Sequence, residues 1–166
     1  MPQSTPPSPI LAFEDTDFLK REELRGIRMQ LELLKPNLVF SEHGINQTIV
    51  IFGSARTSSK NNNYYLEARR LGALITTHFM TEPQSLIVVT GGGGGIMEAV
   101  NRGASDVGGK SAGLNISLPH EQIPNAYITP DLCFEFEHFS MRKMQFFMRR
   151  KSPGGRGARA GSACLA

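Results

Sequence analysis

The sequence predicts an α/β protein whose doubly wound parallel sheet is incomplete at its C-terminal end. Short runs rich in β-branched residues alternate with segments in which apolar residues recur at helical spacing. A run of five glycines, residues 91–95, joins one apolar run to one helical segment. Strands that alternate with helices are connected by right-handed crossovers, so the strands should run parallel in a Rossmann-like arrangement. After residue 151, where such a sheet requires another apolar strand, the sequence has no run of that kind.

The alternating pattern gives each element its place. Helices are predicted over residues 14–35, 63–79, 96–106 and 138–150, and strands over residues 48–52, 85–90, 112–118 and 132–136. In the first helix, leucine and isoleucine recur at helical spacing among charges, which is typical of a helix that covers a sheet. Pro36 is expected to end this helix, because proline lacks the N–H group that continues the helical ladder.

Shifts in composition divide the chain into one domain with two tails. Residues 1–13 are rich in proline and serine and are predicted to be a disordered tail. Residues 14–151 carry the alternating pattern and are long enough to bury a core of their own. Residues 152–166 show neither a helical nor a strand pattern and are predicted to be an aberrant, disordered tail.

The composition argues against several classes of protein. The net charge is +3, and many of the lysine and arginine residues responsible for it lie near the C-terminus. This distribution favours anionic ligands but is too weak to indicate nucleic-acid binding. The two cysteines, Cys133 and Cys164, lack metal-ligand spacing, so neither a metal site nor a disulfide framework is expected. No apolar run reaches the length of a transmembrane helix, and the N-terminus lacks a secretory signal pattern. We therefore expect a cytoplasmic protein without membrane or nucleic-acid partners.

The glycine run predicts a phosphate-binding loop. Glycine takes positive φ angles without a Cβ penalty, so successive N–H groups can turn toward one point, and the following helix adds the positive end of its dipole. A plain flexible turn is the alternative. Ligands bind at the carboxyl ends of the strands in such sheets, where Gly53 and Ser54 also fall. NAD is disfavoured, because the second strand ends in Thr90 and not in an acidic residue.

Four motifs occur together in one order and spacing. They are FGSAR at residues 52–56, TGGGGGIMEAVNRGA at 90–104, GLNISLPHEQIPN at 113–125 and FEHFSMRK at 136–143. Together they resemble the LOG proteins, which are cytokinin riboside 5′-monophosphate phosphoribohydrolases, and the resemblance covers residues 14–151. It implies a Rossmann-like homodimer that hydrolyses the N-glycosidic bond of a nucleoside 5′-monophosphate, AMP included. The implied products are ribose 5-phosphate and a free base such as a cytokinin or adenine, and no cofactor is implied.

The resemblance also assigns roles to residues. It places Gly92, Gly93, Gly94 and Gly95 in the phosphate loop, Gly53 and Ser54 in the nucleotide pocket, Arg142 in catalysis, and Glu98 and Lys143 in substrate binding. These residue types suit the chemistry, because glycosidic cleavage builds positive charge on the ribose and a carboxylate stabilises that charge. Arginine can hold a phosphate, or orient the carboxylate, with its planar fork. Without the resemblance, Arg142 would be interpreted as a solvated helix cation, and His138 is interpreted as structural. For Glu98, the residues alone leave two interpretations open, a substrate-binding group and a carboxylate favoured by the helix dipole.

One motif of the family is missing. LOG proteins carry PGGxGTxxE after the arginine helix, and its glutamate is catalytic. The motif should begin near residue 157, but PGGRG at 153–157 is not followed by threonine and glutamate, and no glutamate follows Glu137. We expect that the chain is truncated or frameshifted after about residue 151, and that it is therefore unstable and nearly inactive. A non-catalytic nucleotide-binding protein is the alternative, and a decarboxylase is disfavoured because no lysine has a setting suited to a Schiff base.

Overall fold

A parallel sheet of five strands forms the centre of the described structure. The computed structural model describes residues 10–57, 63–81, 86–118 and 123–148, together with the backbone of residues 163–165. The strands are β1 (Gln47–Gly53), β2 (Leu86–Thr90), β3 (Ser111–Ile116), β4 (Cys133–Phe136) and β5 (Ala163–Leu165). They lie in the order β4-β3-β2-β1-β5, and every neighbouring pair is parallel. The predicted α/β class with a parallel sheet is confirmed.

Helices cover both faces of this sheet. They are α1 (Thr16–Leu19), α2 (Arg25–Glu42), α3 (Asn63–Met80), α4 (Ile96–Asp106) and α5 (Phe139–Met148), with short 3-10 turns at Glu22–Leu24 and Pro130–Leu132. Phe40 of α2 and Phe146 of α5 are buried together with Val89 and other strand residues on one face. Tyr65 of α3 and Val100 of α4 are buried with Val88 on the other face. Successive residues of β2 therefore face opposite layers, as expected for a central strand that is buried on both sides.

Most element boundaries follow the sequence pattern. The helix α4 spans the predicted residues 96–106, and the strands β1 and β3 differ from their predicted spans by at most two residues at either end. The strand pattern predicts β2 well because Leu86–Thr90, which is rich in β-branched residues, is buried at every position. Residues 149–150, which belong to the last predicted helix, lie outside the described residues.

The prediction that Pro36 ends the first helix was wrong. The segment predicted as one helix over residues 14–35 forms α1, a 3-10 turn and α2, and α2 continues through Pro36 to Glu42. A proline inside a helix removes one hydrogen bond and costs about 3 kcal/mol. That cost is offset by tertiary packing, because Phe40, one turn further on, is only 2% exposed and packs edge-on against Phe134 of β4.

The C-terminal segment contributes a strand that the sequence pattern did not indicate. Ala163–Leu165 forms β5, and its residues pair in parallel with β1, from Ile51 opposite Ala163 to Gly53 opposite Leu165. The backbone groups on the outer edge of β1 thus find partners, which an exposed sheet edge would lack. Three residues are too few to show a period of two, so no strand pattern was visible in 152–166. Residues 149–162 and 166 lie outside the described part of the chain, as do residues 1–9 of the predicted N-terminal tail.

None of the helices in the described part of the chain is long and apolar enough to cross a membrane. A membrane-spanning helix needs about 20 predominantly apolar residues. The longest described helices, α2 and α3, have 18 residues each. The middle of α2 contains the charged residues Arg28, Glu32 and Lys35.

The helices α3 and α4 touch backbone to backbone, and this contact depends on two glycines. A Cβ atom on Gly103 of α4 would overlap the carbonyl oxygen of Arg69, and one on Gly72 of α3 would overlap the carbonyl oxygen of Val100. A methyl group at either position would therefore force the two helices apart and disturb the layer that α3 and α4 form on the sheet.

We expect the substitution Gly103→Ala to lower the free energy of unfolding by about 1–3 kcal/mol, because the added methyl group overpacks the α3–α4 contact. The matched control is Gly26→Ala in α2, where a Cβ atom would meet nothing within 4 Å. There the change should raise stability by up to about 1 kcal/mol through helix propensity. Urea unfolding of both variants provides the measurement, and equal effects of the two would contradict the proposed close contact.

Candidate functional site

The candidate site lies at the carboxyl edge of the sheet. The strand β1 ends at Gly53 and β2 ends at Thr90, and because the two strands are parallel and paired, their following loops start side by side. The loop after β2 is the glycine segment, residues 91–95, which leads directly into α4. The sequence therefore places its two candidate loops at the edge where doubly wound sheets bind ligands.

The backbone of the glycine segment is unusual in its φ angles and in its N–H groups. Gly92 and Gly95 adopt positive φ angles of 78° and 66°, which a residue with a side chain takes only under strain. The N–H group of Gly92 donates to Thr90 Oγ1 at 3.1 Å, inside the protein. Among the described residues no acceptor bonds to the N–H groups of Gly93, Gly94 and Gly95. Successive N–H groups of this kind, at the start of a helix, form a concave site for an anion.

The loop after β1 packs directly against the start of α4. The N–H group of Ile96 donates to the carbonyl oxygen of Ser54 at 3.0 Å. A Cβ atom on Gly53 would overlap the Ile96 side chain, and one on Gly95 would overlap the carbonyl oxygen of Ser54. Ser54 itself is exposed, and its Oγ accepts a hydrogen bond from the Arg56 N–H group at 3.2 Å. The predicted pocket residues Gly53 and Ser54 thus adjoin the glycine segment.

Arg142 of α5 reaches the same edge from the other face of the sheet. Its Nε donates to the carbonyl oxygen of Leu114 at 2.6 Å, and its Nη2 donates to that of Gly91 at 3.2 Å. Burial lowers the pKa of Arg142 from its ordinary value, but an arginine remains protonated in proteins. No described carboxylate forms an ion pair with Arg142, and Glu135 acts on it only at longer range. A half-buried guanidinium whose described partners are carbonyl oxygens is suited to bind an anion.

Glu98 lies in the first turn of α4, beside the glycine segment. The hydroxyl of Tyr65 donates to Glu98 Oε1 at 2.8 Å, and Glu98 Oε2 is 3.9 Å from the position that a Cβ atom on Gly94 would occupy. Tyr65 is only 2% exposed. Burial, and then the bond to Glu98, raises the pKa of Tyr65, so its phenol keeps its proton and remains a donor. The carboxylate is therefore fixed at one oxygen by α3, with the other oxygen next to the glycine segment.

Lys143 does not join this group in the described contacts. Its side chain is exposed, and its ammonium nitrogen lies 4.9 Å from the centroid of the Phe139 ring, on its own helix. It follows Arg142 directly, and neighbouring residues of a helix point in directions about 100° apart. Of the two basic residues that the resemblance implicates, Arg142 is the one in contact with the edge.

His138 connects α5 to α2. Its ring Nδ1 lies 3.1 Å from Glu32 Oε1, and its Nε2 accepts a bond from Arg25 Nε at 3.3 Å. The backbone N–H groups of Glu137 and His138 donate to the same Glu32 carboxylate, at 3.0 and 3.2 Å, so that Glu32 caps the start of α5. This arrangement gives His138 the structural role that the sequence favoured.

Ligand atoms of Glu32, Glu137 and His138 lie within 4.8 Å of one another, a spacing that could hold a metal ion. Two of the three already bind cationic side chains, however. Glu137 pairs with Arg28 at 3.4 Å, and the second ring nitrogen of His138 is bonded to Arg25. Because Nε2 of His138 accepts from Arg25, the ring proton is on Nδ1, where it faces Glu32, and a metal ion at Nδ1 would have to displace that proton. These residues therefore fit a hydrogen-bonded ion-pair network better than a metal site.

A buried polar network behind the glycine segment was not predicted from the sequence. Asn101 of α4 is fully buried, and its Oδ1 accepts bonds from Thr90 Oγ1 at 2.7 Å and from Asn125 Nδ2 at 3.1 Å. Its Nδ2 donates to Ser111 Oγ of β3 at 3.0 Å. A signal was available, because Asn101 is a polar residue with modest helix propensity among the small and apolar residues on the buried face of α4.

Comparisons with known proteins give matches to one family and to solved structures. The model of the SLOG cluster4 family matches residues 46–134, which is more than half of the chain. This range contains the glycine segment, Glu98 and the Asn101 network. No curated protein matches the sequence.

Two solved structures are similar over part of their length. One is the molybdenum cofactor carrier protein MCP from Chlamydomonas reinhardtii, with 26% identity, a TM-score of 0.40 and coverage of 55% of this chain and 50% of that protein. The other is TM1055, solved by X-ray crystallography as a structural genomics target, with 22% identity, a TM-score of 0.46 and coverage of 64% of this chain and 58% of that protein. The chain thus spans between half and three-fifths of the length of either structure.

We expect Gly95→Ala to disrupt the glycine segment, because its Cβ atom would overlap the Ser54 carbonyl and its φ angle is positive. The free energy of unfolding should fall by about 1–3 kcal/mol. In the control variant Gly94→Ala, the nearest atom to the new Cβ lies 3.7 Å away, which is ordinary contact, and the change should stay within about 0.5 kcal/mol. Thermal and urea unfolding compare the two variants, and a Gly95→Ala protein as stable as the wild type would exclude the tight packing of the two loops.

Proposed function

The chain belongs to the SLOG cluster4 family, which agrees with its resemblance to the LOG proteins, and we propose that its carboxyl-edge site binds a nucleoside 5′-monophosphate. The observation that carries this proposal is the meeting of two anion-attracting features at one edge. The N–H groups of Gly93, Gly94 and Gly95 have no described acceptor there, and Arg142, which bonds to no carboxylate among the described residues, brings its guanidinium to the neighbouring Gly91. Together they suit a phosphate group.

The phosphate would lie against the N–H groups at the start of α4. Backbone N–H groups of a glycine segment bring no side chain into the site, so the phosphate oxygens can approach them closely. The dipole of α4, which has 11 residues, places partial positive charge at the same point. Arg142 adds a full positive charge, and two of its N–H groups are already oriented by the carbonyl oxygens of Leu114 and Gly91.

The ribose would lie beside Glu98. A carboxylate at this position repels a bare phosphate but accepts hydrogen bonds from the hydroxyl groups of a sugar. Tyr65 holds Oε1 of Glu98, so Oε2 is the atom that remains next to Gly94. A ligand that brings an anion and hydroxyl groups a few ångströms apart, as a sugar 5-phosphate does, suits both parts of the site.

The proposed reaction is hydrolysis of the N-glycosidic bond. The bond between the anomeric carbon and the base nitrogen breaks, the electron pair leaves with the base, and a water molecule adds its oxygen to the anomeric carbon. The proton that water loses balances the one that the departing base gains, and the products are the free base and ribose 5-phosphate. Positive charge develops on the ribose in the transition state, and a carboxylate beside the ring, such as Glu98, stabilises it.

A second candidate function is nucleotide binding without catalysis. The sequence contains no glutamate after Glu137, so it lacks the catalytic glutamate of the PGGxGTxxE motif that the LOG resemblance implies. In that case the same edge binds the nucleotide, but the glycosidic bond is not cleaved because that carboxylate is absent.

The homodimer that the resemblance implies stays a prediction, which analytical ultracentrifugation can test.

Replacing Arg142 should weaken nucleotide binding. We expect Arg142→Ala to reduce the affinity for AMP by about tenfold or more, since a charge-assisted contact with the phosphate is lost. The control is Arg70→Ala, which removes the same charge from an exposed position two turns along α3. Isothermal titration calorimetry at fixed salt gives both affinities. Equal affinities for the two variants would show that Arg142 makes no contact with the phosphate.

Activity separates the two candidate functions. We expect a variant with a restored PGGxGTxxE segment to release free base and ribose 5-phosphate from AMP or from isopentenyladenosine monophosphate, and the natural chain to release little or none. Chromatography of the products measures both proteins under the same conditions. Activity of both would show that the missing glutamate is dispensable, whereas binding without activity in either would favour the non-catalytic function.

A further inference from the structure

We propose that Asn125 is the positioning residue that holds the glycine segment in its phosphate-binding conformation, an inference that rests on the proposed function. Asn125 follows β3 and lies 33 residues beyond Gly92 in the sequence, yet it is bonded to the glycine segment by both its backbone and its side chain. The backbone N–H group of Asn125 donates to the carbonyl oxygen of Gly92 at 2.9 Å. Its side-chain Nδ2 donates to the carbonyl oxygens of Gly92 at 3.1 Å and of Gly93 at 3.0 Å.

Because the peptide bond is planar, these contacts also determine the direction of the neighbouring N–H groups. In a trans peptide the C=O bond of one residue and the N–H bond of the next point in opposite directions. When the carbonyl oxygen of Gly92 points to Asn125, the N–H group of Gly93 points away from it. The Gly93 carbonyl fixes the N–H group of Gly94 in the same manner. One side chain thus directs two successive N–H groups, and both belong to the predicted phosphate cradle.

The Asn125 carboxamide is itself held in one orientation. Its Oδ1 accepts a bond from the Tyr127 N–H group at 3.2 Å, so exchange of the amide oxygen and nitrogen would lose that bond. Its Nδ2 also lies 3.1 Å from Oδ1 of the buried Asn101, so the two N–H bonds of this amide are shared among three acceptors. Asn101 is bonded in turn to Thr90 and Ser111, so the end of β2 and the start of β3 fix the orientation of the Asn125 carboxamide.

Preorganisation is the physical benefit of this arrangement. A run of glycines samples more backbone conformations than any other sequence, and ordering it at the moment of binding would reduce affinity. The bonds from Asn125 order the Gly92 and Gly93 peptides before a ligand arrives. Because Asn125 contacts the carbonyl side of these peptides, it acts through the backbone and has no contact with the phosphate.

The test compares how much a phosphate group adds to binding. The quantity is the ratio of the dissociation constant of adenosine to that of AMP, measured by calorimetry on the full chain. The variants are Asn125→Asp, which keeps the shape but removes the donors and repels the Gly92 and Gly93 carbonyls, and Asn125→Ala, which only removes the donors. The control is Asn37→Ala in α2, where the side-chain Nδ2 also donates to a backbone carbonyl, that of Leu33, at 2.9 Å.

We expect both Asn125 variants to reduce the ratio by about tenfold or more, with Asn125→Asp the more severe, because hydrogen bonds to a charged ligand are misdirected. Adenosine affinity should stay unchanged, and Asn37→Ala should leave the ratio as in the wild type. A general loss of structure would weaken both ligands together and would contradict the positioning role. A wild-type ratio near one would overturn the proposed function itself, whereas a high ratio retained in both Asn125 variants would overturn the role of Asn125 alone.

The wild-type protein provides an independent measurement should the variants fail to fold. In a ¹⁵N-labelled chain titrated with ribose 5-phosphate, the backbone amide signals of Gly93 and Gly94 should shift downfield together, since both N–H groups face the phosphate. The Gly92 amide donates to Thr90 inside the protein and should respond less. Shifts at Gly92 that exceed those at Gly93 and Gly94 would contradict the proposed direction of the N–H groups.

Discussion

The arrangement of the carboxyl edge depends on one buried carboxamide, that of Asn101. This side chain has no exposed surface, and its bonds reach the end of β2 at Thr90, the start of β3 at Ser111 and the segment after β3 at Asn125. A buried amide without partners would destabilise the fold by about 1–3 kcal/mol, so each of these partners has to stay in place while Asn101 stays buried. The helix α4, two strands and one loop are thereby held in a single relative position, and the glycine segment lies between them.

Close approach of backbones is the second requirement of the site. The start of α4 lies against the Ser54–Ala55 backbone because Gly95 has no Cβ atom, and α4 lies against α3 because Gly103 has none. Both contacts involve the same 11-residue helix, so its position is set from two sides. The helix also carries Glu98 in its first turn, one turn beyond the last glycine. A shift of α4 would therefore move the Glu98 backbone relative to Gly93 and Gly94, which Asn125 holds from the loop after β3.

The sequence predicted the sheet and the edge because these depend on local patterns. Continuous β-branched runs and the glycine segment are visible without knowledge of distant contacts, and α4 has its predicted bounds. Pro36 was misjudged because a local rule was applied where packing of Phe40 decides the outcome. The partnerships of Tyr65 with Glu98 and of Asn125 with Gly92 each join residues 33 positions apart. No period or motif encodes such pairs, since they exist only once α3, α4 and the loop after β3 have docked.

The charges at the edge bear on which ligand the site would prefer. Arg142 is half-buried, and the two carbonyl oxygens that it bonds offset only part of the loss of hydration, so a nearby anion is favoured. Glu98 is held by Tyr65 within reach of the same space, and it opposes an anion placed too near. Inorganic phosphate would gain from the first group and lose to the second. A phosphate attached to a hydroxyl-bearing ring gains from both, because the ring separates the two charges and supplies donors to the carboxylate. Under the proposed function, the discrimination between a phosphosugar and free phosphate thus arises from the position of one carboxylate, which Tyr65 fixes from a neighbouring helix.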